Sequence, residues 1–491
     1  MIHQYKNNGY NIVLDVCSGS VHVVDDLVYD VIALVDAERK SGIIYDDHNS
    51  SGMAESIMKS SVEGADEIIK RLSEYPADEI KEACEEIGAL TEAGQLFTED
   101  IYKDALVPEG EESSLKSSFI DFKKRKTVVK ALCLHIAHDC NLACKYCFAG
   151  EGEYHGDRSL MSYEVGRKAL DFLIANSGNR VNLEVDFFGG EPLMNFQVVK
   201  DLVAYGRSKE KEHNKKFRFT LTTNGVLLDD EVMEFANKEM ANVVLSIDGR
   251  REVHDAMRPT RNGKGSYDLI IDKFKKMADM RDQTNYYVRG TFTHNNLDFS
   301  KDVIHLADMG FKQISAEPVV AAPDKDYAIT PEDVPKLCEE YDSLAREMVK
   351  RNREGNGFNF FHFMIDLSGG PCIYKRLSGC GSGTEYLAVT PWGDLYPCHQ
   401  FVGLDDFKLG NVDEGIINTD VVDEFKLCNV YAKPKCRDCF ARFYCSGGCA
   451  ANSYNFHGNL TDAYDVGCDL EKKRVECAIM IKAALADDDN T

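Results

Sequence analysis

From residue 128 onward the chain repeats one pattern, a short apolar run followed by an amphipathic stretch with helical period. Six apolar runs begin these units, at residues 131–137, 181–188, 217–221, 243–247, 286–292 and 313–316. Strands that alternate with helices pair in parallel, because each helix returns the chain to the start of the next strand. The repeat predicts an α/β fold built on a partial (β/α)6 barrel, whose chemistry collects in the loops at the carboxyl ends of the strands.

The regions on either side of the repeat have different patterns. Two strand-like runs, at residues 11–17 and 20–24, predict a small α+β module together with helical stretches at 26–35, 65–75 and 77–90. The tail is rich in Gly and Cys with little periodicity, so we expect metal clusters rather than a large apolar core to hold it. The predicted divisions are a module at 1–105, a linker at 106–127, the barrel at 128–365 and the cysteine-rich domain at 366–491.

Charge and cysteine content narrow the function. The formal net charge is −25, from 82 acidic and 57 basic side chains, which disfavours nucleic acid as a partner because phosphate-binding surfaces depend on Lys and Arg. No apolar run is long enough to cross a bilayer, so we expect a cytoplasmic protein without a membrane partner. Seventeen cysteines would remain thiols in a reducing cytoplasm, and clustered thiolates are ligands for soft metals.

Three of these cysteines follow the first predicted strand, as Cys140, Cys144 and Cys147 in a CxxxCxxC run. An iron–sulfur cube normally has four cysteine ligands, so three thiolates on one loop leave one iron open to an exogenous ligand. Structural zinc sites prefer CxxC pairs and four closed ligands, and buried thiols that only pack do not explain this spacing. An open [4Fe–4S] cluster is the favoured interpretation.

This run, with Tyr146 before its last cysteine, resembles the signature of the radical S-adenosylmethionine (radical SAM) superfamily, which has a TIM-like partial barrel. The resemblance implies that the open iron binds the amino and carboxylate groups of S-adenosylmethionine, and that an electron from the cluster cleaves it to a 5′-deoxyadenosyl radical. It also implies that Tyr146 and Phe148 lie at the cofactor. The cofactor carries the difficult chemistry, while the protein orients it and excludes water.

The second strand is followed by Gly189, Gly190, Glu191 and Pro192. The two glycines permit a close approach of the backbone to a ligand, and the carboxylate can accept a hydrogen bond from an ammonium group. By itself such a motif is also typical of a turn. In the family that the cysteine run resembles, the same motif contacts the methionyl amine of the cofactor.

Polar residues also follow the third and fourth strands. Asn224 can bind ribose hydroxyls of the cofactor or cap the next helix. Ser246 and Asp248 resemble the family's contact to the ribose and the carboxylate. Arg258 and Arg289 stay open between the cofactor carboxylate and a solvated ion pair.

A second set of cysteines lies in the tail. Its seven members are Cys380, Cys398, Cys436, Cys439, Cys445, Cys449 and Cys468. Their order, with Gly393 before Cys398, resembles the SPASM domain, which extends radical SAM enzymes that act on peptides and holds two further [4Fe–4S] clusters. A zinc ribbon is the alternative, because CxxC alone is ambiguous.

The SPASM resemblance implies two ligand sets, and therefore three clusters in the whole chain. One auxiliary cluster would take Cys436, Cys439, Cys445 and Cys468. The other would take Cys380, Cys398 and Cys449, which leaves one ligand missing. Either Cys372 supplies it, as an upstream cysteine does in anaerobic sulfatase maturases, or the position accepts a thiolate of the substrate.

The N-terminal module resembles the winged-helix-like PqqD-type domains that recognise leader peptides, and the whole chain resembles maturases of the SCIFF peptide, named for six cysteines in forty-five residues. These are similar to sactionine synthases, which join a cysteine sulfur to the α-carbon of another residue. The resemblance implies a Cys-rich precursor peptide with a leader sequence as substrate. It also implies an electron donor such as flavodoxin or ferredoxin.

Two alternatives remain at this point. An anaerobic sulfatase maturase has the same three clusters but oxidises Cys or Ser to formylglycine; that family has an aspartate where His399 follows Cys398 here, although histidine is also a capable base. A non-catalytic zinc-binding peptide adaptor would keep the tail cysteines. Such an adaptor does not require a loop of three cysteines that leaves one metal position open beside Glu191.

Overall fold

The computed structural model describes residues 1–40, 68–102, 124–154, 156–367 and 373–489, and its first element is a small antiparallel sheet. The sheet consists of β1 (Ile2–Asn7), β2 (Tyr10–Asp15) and β3 (Val21–Val24), with helices α1 (Asp26–Lys40) and α2 (Ala77–Glu92) against it. The pattern predicts β2, β3, α1 and α2. It does not predict β1, whose buried apolar residues Ile2 and Tyr5 are three apart and do not alternate.

Two segments predicted for this part of the chain include residues outside the described ranges. The helical stretch expected at 65–75 does so in part, and the linker expected at 106–127 does so for most of its length. The winged-helix character of the module stays a prediction.

The main sheet follows the predicted repeat. Its strands are β4 (Ala131–His138), β5 (Ser159–Leu160), β6 (Asn182–Gly189), β7 (Lys216–Thr223), β8 (Met240–Ser246), β9 (Tyr286–Phe292), β10 (Gln313–Pro318) and β11 (Asn359–Phe360). Apart from β5, which pairs antiparallel with β4, these strands run parallel in chain order. The six predicted strands and their parallel pairing are confirmed.

Helices connect these strands and cover the outer face of the sheet. They are α3 (Tyr163–Asn176), α4 (Phe196–His213), α5 (Asp230–Glu239), α6 (Arg251–Met257), α7 (Tyr267–Met280), α8 (Phe299–Asp308) and α9 (Val334–Arg353). Leu183, Val185 and Phe187 of β6 are buried in the main core beneath them. Because side chains alternate along a strand, Glu184 and Asp186 face the other side. We call the space on that side of β4 to β10 the barrel lumen.

The C-terminal part extends the same sheet. Its elements are α10 (Ile373–Ser378), β12 (Tyr386–Val389), β13 (Asp394–Tyr396), β14 (Gly410–Asn411), β15 (Gly415–Ile416), α11 (Thr419–Leu427), α12 (Pro434–Arg437), α13 (Arg442–Cys445), α14 (Ala450–His457) and α15 (Asp465–Asp489). Strand β12 pairs in parallel with β4, at the edge opposite β6.

This region has more apolar core than its sequence pattern indicates. Leu387 and Val389 of β12 are fully buried, as are Ala478 and Ile479 of α15. A strand of four residues is too short to show a period, and a helix that is buried on several sides lacks the usual amphipathic pattern. The expectation that clusters alone replace an apolar core is therefore wrong for β12 and α15.

The N-terminal module is packed against the rest of the chain. The Tyr5 hydroxyl donates to the Glu476 carbonyl oxygen of α15 at 3.0 Å, and the Asn7 side chain donates to Asp342 of α9 at 2.7 Å. The buried Arg442 guanidinium pairs with Asp100 at 2.8 Å. No helix in the described ranges is long and apolar enough to span a membrane.

Candidate active site

Cys140, Cys144 and Cys147 lie in a loop directly after β4, at the carboxyl end of the barrel. We call residues 139–148 the radical loop. The Lys145 N–H donates to the Met257 carbonyl oxygen at the end of α6, at 2.9 Å. Burial raises the pKa of Cys140 to about 12, and the nearby thiols of Cys144 and Cys147 add to this effect. The fold therefore brings the three predicted thiols together.

A buried polar network holds the radical loop to the barrel. The Tyr146 hydroxyl donates to Asp248 at 2.7 Å, and the Arg258 guanidinium donates to the Tyr146 oxygen at 2.9 Å. Asp248 also accepts from the Thr291 N–H at 3.1 Å and lies 3.8 Å from Arg258. Burial raises the pKa of Asp248 above its ordinary value, although Arg258 opposes that shift. These bonds engage the Asp248 carboxylate with the loop, a positioning role that the sequence pattern does not indicate.

Gly189 and Gly190 approach the backbone at the end of β4. The Gly190 N–H donates to the Ala137 carbonyl oxygen at 2.7 Å, and the Glu191 N–H donates to that of Asp139 at 2.9 Å. A Cβ at either glycine would collide with one of these two carbonyl oxygens. The backbone of the two glycines therefore approaches the start of the radical loop, within the protein itself.

Glu191 is almost fully buried and bound by three donors. Its Oε1 accepts from the Thr223 hydroxyl at 2.7 Å and the Leu193 N–H at 3.1 Å, and its Oε2 accepts from the Asn224 N–H at 2.8 Å. Burial raises the pKa of Glu191 to about 6, while these donors lower it. A carboxylate has about four lone-pair sites, so one site remains for the predicted ammonium contact.

The other predicted cofactor residues lie around the same loop. The Asn224 amide donates to Asn141 at 2.8 Å and lies 3.6 Å from the Cys140 sulfur. Ser246 is the partly buried last residue of β8. The half-exposed Phe148 ring lies 5.5 Å from the ring of His399 in the C-terminal part. Asn224 therefore contacts the radical loop, and Phe148 faces the C-terminal part beside Cys398.

Two buried histidines lie on β4, just before the radical loop. Nδ1 of His135 lies 3.0 Å from Nε2 of His138, and the Tyr154 ring packs at 4.4 and 4.6 Å from their rings. Burial lowers the pKa of His138 to about 4, so it is neutral near pH 7. Sequence reasoning does not single out this pair, because its spacing within β4 matches no known ligand pattern.

The structure also groups the auxiliary cysteines. Burial raises the pKa of Cys398, and the thiols of Cys449 and Cys380 act in the same direction. Burial and the thiols of Cys468, Cys436 and Cys439 raise the pKa of Cys445 in the same way. These two groups are the ones that the resemblance implies.

Two further cysteines bear on the incomplete group. Cys372 lies outside the described residues. The Cys428 sulfur, although near Cys380, donates to the Leu460 carbonyl oxygen at 3.3 Å. The fourth position of the group that contains Cys398 thus stays open to the two interpretations given above.

The three groups of thiols suit iron–sulfur clusters. Within the described ranges, no three Cys, His, Asp or Glu side chains converge on one metal ion. A [4Fe–4S] cube binds each thiolate at a different iron and needs no such convergence. Thiols with raised pKa values are protonated at neutral pH, and coordination to iron deprotonates them.

Comparison with known proteins agrees with this geometry. Residues 134–298 match the radical SAM superfamily, and residues 380–440 match the SPASM iron–sulfur cluster-binding domain. A cysteine-type anaerobic sulfatase-maturating enzyme of Clostridium perfringens is 26% identical over 333 residues, which cover 63% of this chain and 85% of that enzyme.

Solved structures show the same fold. Native anSMEcpe with bound AdoMet has a TM-score of 0.60 and 22% identity, over 72% of this chain and 99% of that one. Streptococcus suis SuiB bound to precursor peptide SuiA has a TM-score of 0.50 and 15% identity, over 95% of this chain and 98% of that one.

The chain thus contains a radical SAM domain and a SPASM iron–sulfur domain, and it is an enzyme whose cofactors are [4Fe–4S] clusters and S-adenosylmethionine. It is homologous to anaerobic sulfatase maturases. A non-catalytic zinc adaptor does not agree with these matches.

Proposed function

We propose that this enzyme forms thioether cross-links, from a cysteine sulfur to the α-carbon of a second residue, in a ribosomally made Cys-rich precursor peptide of the SCIFF type. The observation that carries the proposal is the extent of two structural likenesses. The anSMEcpe structure is matched over 99% of its length but covers 72% of this chain, whereas SuiB, solved with a precursor peptide, covers 95%. The additional residues suit a region that handles a leader sequence.

The outer edge of β3 is the proposed site for that leader. β2 lies between β1 and β3, and no described strand pairs with the other side of β3. Val23 on this strand is 45% exposed. A peptide can add to such an edge as a further strand, with main-chain hydrogen bonds for affinity and alternate side chains for specificity. We assign residues 1–105 to leader recognition, 106–127 to a linker, 128–365 to the radical SAM core and 366–491 to the SPASM domain.

Within the core, Cys140, Cys144 and Cys147 are the proposed ligands of the first cluster. Glu191 would accept the ammonium group of the cofactor, while Tyr146 and Asn224 hold the loop in position. Bound S-adenosylmethionine supplies a 5′-deoxyadenosyl radical for hydrogen abstraction. We further propose that flavodoxin or ferredoxin supplies the electron and that the enzyme works in the cytoplasm.

The second set of proposed ligands belongs to the two auxiliary clusters. Cys436, Cys439, Cys445 and Cys468 would complete one cluster. Cys380, Cys398 and Cys449 would hold the other, together with Cys372 or a substrate thiolate. An auxiliary cluster would accept the electron that the oxidised peptide loses.

Formylglycine formation is the second candidate function. It is supported by the 26% identity to the Clostridium perfringens sulfatase-maturating enzyme. The aspartate typical of that family is replaced by His399, whose pKa burial lowers to about 4, so the neutral ring can accept a proton at neutral pH. A base is therefore retained there, but it is not the residue of that family.

One experiment distinguishes the two functions. The anaerobically reconstituted enzyme is incubated with S-adenosylmethionine, a reductant and the Cys-rich peptide encoded beside its gene, and the peptide is weighed and fragmented. Thioether formation removes two hydrogens per cross-link and blocks fragmentation between the joined residues. Formylglycine formed from Cys has also lost its sulfur. An unchanged Cys-rich peptide, with a sulfatase-derived peptide converted to formylglycine, would overturn the proposal in favour of the second candidate.

A further inference from the structure

One carboxyl oxygen in the barrel lumen has no hydrogen-bond partner among the described residues. Asp186 lies on β6, in register with Cys133 of β4 and Thr220 of β7. Its side chain is partly buried, and its Oδ1 atom is fully buried without a hydrogen bond in the part of the chain that the structure describes. A buried carboxyl oxygen without a partner is unfavourable, and packing alone would favour an apolar residue at this position.

Charged and titratable groups approach Asp186 from several elements. They are Cys133 on β4, Tyr386 on β12, Arg289 on β9 and Glu184 on its own strand. Burial raises the pKa of Asp186 to about 7, Arg289 opposes that shift, and Glu184 adds to it. A proton can therefore be gained or lost by this group close to neutral pH.

The position of Asp186 relates it to both cysteine regions. The next residue of β6 that faces the lumen is Phe188, whose ring lies 5.1 Å from the His399 ring. The His399 ring in turn lies 5.5 Å from that of Phe148, beside Cys147. Asp186 thus lies two residues before Phe188 on β6, close to the point where the radical loop and the auxiliary cysteines approach each other.

Arg289 is suited to hold the carboxylate in its charged form. Its side chain is 53% exposed, and its ion pair with Glu317 is long, at 3.4 Å. Glu317 has two further cationic or titratable neighbours, His362 at 3.5 Å and Arg474 at 3.6 Å. Arg289 can therefore move toward a carboxylate in the lumen without leaving Glu317 unpaired.

We propose that Asp186 is the proton acceptor for the peptide-modifying step and that Arg289 is a positioning residue that keeps it ionised. This inference rests on the proposed function. Thioether formation breaks one C–H and one S–H bond of the peptide and forms one C–S bond. Asp186 would take the thiol proton, while bound S-adenosylmethionine would supply the radical that removes the hydrogen atom from carbon and an auxiliary cluster would accept the remaining electron.

The test compares Asp186→Asn with Glu184→Gln, a matched change on the same strand at a residue that is paired with Arg218. Both variants are loaded with iron and incubated with S-adenosylmethionine, reductant and the Cys-rich peptide, and deoxyadenosine and cross-linked peptide are measured from pH 6 to 8. In Asp186→Asn we expect deoxyadenosine to persist while cross-linked peptide falls by roughly 100-fold, as for loss of a general base. Glu184→Gln should form wild-type amounts of both products at pH 8, with its pH profile moved to slightly lower pH because Glu184 no longer raises the pKa of Asp186.

The pH profile separates proton transfer from a structural role. Wild-type product formation should increase as pH rises through about 7, because the acceptor must be ionised, and Asp186→Asn should lose this increase. Arg289→Gln should move the increase to higher pH, since the opposing charge is gone. If Asp186→Asn keeps the wild-type pH profile and more than half of the wild-type yield of cross-linked peptide, this inference is overturned while the proposed function stands. If the wild type modifies neither the Cys-rich nor a sulfatase-derived peptide, the proposed function and this inference both fail.

Discussion

The radical loop and the C-terminal part both carry groups of cysteine thiols, but different contacts hold the two groups in place. The radical loop follows a buried eight-residue strand and is bound to the residues after β8 and α6 through the Tyr146–Asp248–Arg258 network. The cysteines between residues 428 and 468, which we call the auxiliary segment, lie on helices as short as four residues and on turns with positive φ at Ser446, Gly447 and Gly448.

The difference indicates which site is formed before iron binds. The barrel orders the radical loop through hydrogen bonds that need no metal, as expected where a cofactor must meet a fixed geometry. In the auxiliary segment, Lys433 donates to the Gly447 carbonyl oxygen at 2.8 Å, and the buried Arg442 donates to the Arg437 carbonyl oxygen at 3.2 Å. These contacts order the turns in part, and we expect a bound cluster to add to the folding free energy of this segment.

Single cysteine substitutions should separate the two regions most strongly. We expect Cys140→Ala to abolish cleavage of S-adenosylmethionine, because the open cluster has only three protein ligands. Cys439→Ala should retain cleavage and lose cross-linked product, provided that the tail still folds. Deoxyadenosine and peptide mass are measured in the same anaerobic samples. Undiminished deoxyadenosine from an iron-loaded Cys140→Ala variant would refute the assignment.

Removal of iron should have the next largest effect. After chelation under reducing conditions, the auxiliary segment should become sensitive to trypsin at Lys435 and Arg437, since cluster binding contributes to its folding. The radical loop, including Lys145, should stay protected by the barrel. Mass spectrometry of the early fragments reports both regions at once. Equal rates of cleavage in the two regions would contradict the comparison.

Alanine at one glycine of each region should show a smaller difference. A Cβ at Gly190 would collide with the Asp139 backbone, whereas at Gly448 the space is open and only the positive φ is unfavourable. We expect Gly190→Ala to cost about 2–3 kcal/mol and Gly448→Ala to cost about 1 kcal/mol. Thermal melting of the iron-loaded variants measures the order, and a reversed order would argue against a tightly packed radical loop.

The smallest predicted effect concerns pH. The pKa of Glu191, which burial raises to about 6, makes its carboxylate the minority form below that pH. Binding of the cofactor ammonium should therefore weaken severalfold between pH 7.5 and 5.5. Equilibrium dialysis with labelled S-adenosylmethionine measures this change. Glu191→Gln should bind more weakly and without this dependence on pH; a pH dependence retained in Glu191→Gln would assign it to another group.

Much of the fold could be predicted because its signals are local. Each barrel strand is a short stretch of apolar residues, in places alternating with polar ones, and the Cys140 motif follows the first strand directly, so that neighbouring residues carry both signals. The grouping of the auxiliary cysteines is implied by the resemblance to the SPASM domain. Gly190 and Glu191 are also recognisable, because they follow a strand at once.

The remaining features depend on contacts between distant residues. Tyr146 lies 102 residues from Asp248 and 112 from Arg258, so nothing near the cysteine run indicates their network. Asp186 sits in an ordinary strand pattern and becomes unusual only when the barrel buries it. Strand β12 is too short for a periodic signal, and its place beside β4 is a property of the folded sheet.

The pairing of β12 with β4 also limits how far the radical loop can move relative to the loop that carries Cys398. β4 ends two residues before Cys140, and the hairpin of β12 and β13 ends two residues before Cys398. The two strands are neighbours in one hydrogen-bonded sheet, which resists relative movement of the segments that follow them. Tunnelling rates fall steeply with distance. Under the proposed function, this shared sheet would therefore keep the rate of electron transfer between a cluster on the radical loop and one at Cys398 the same from one peptide to the next.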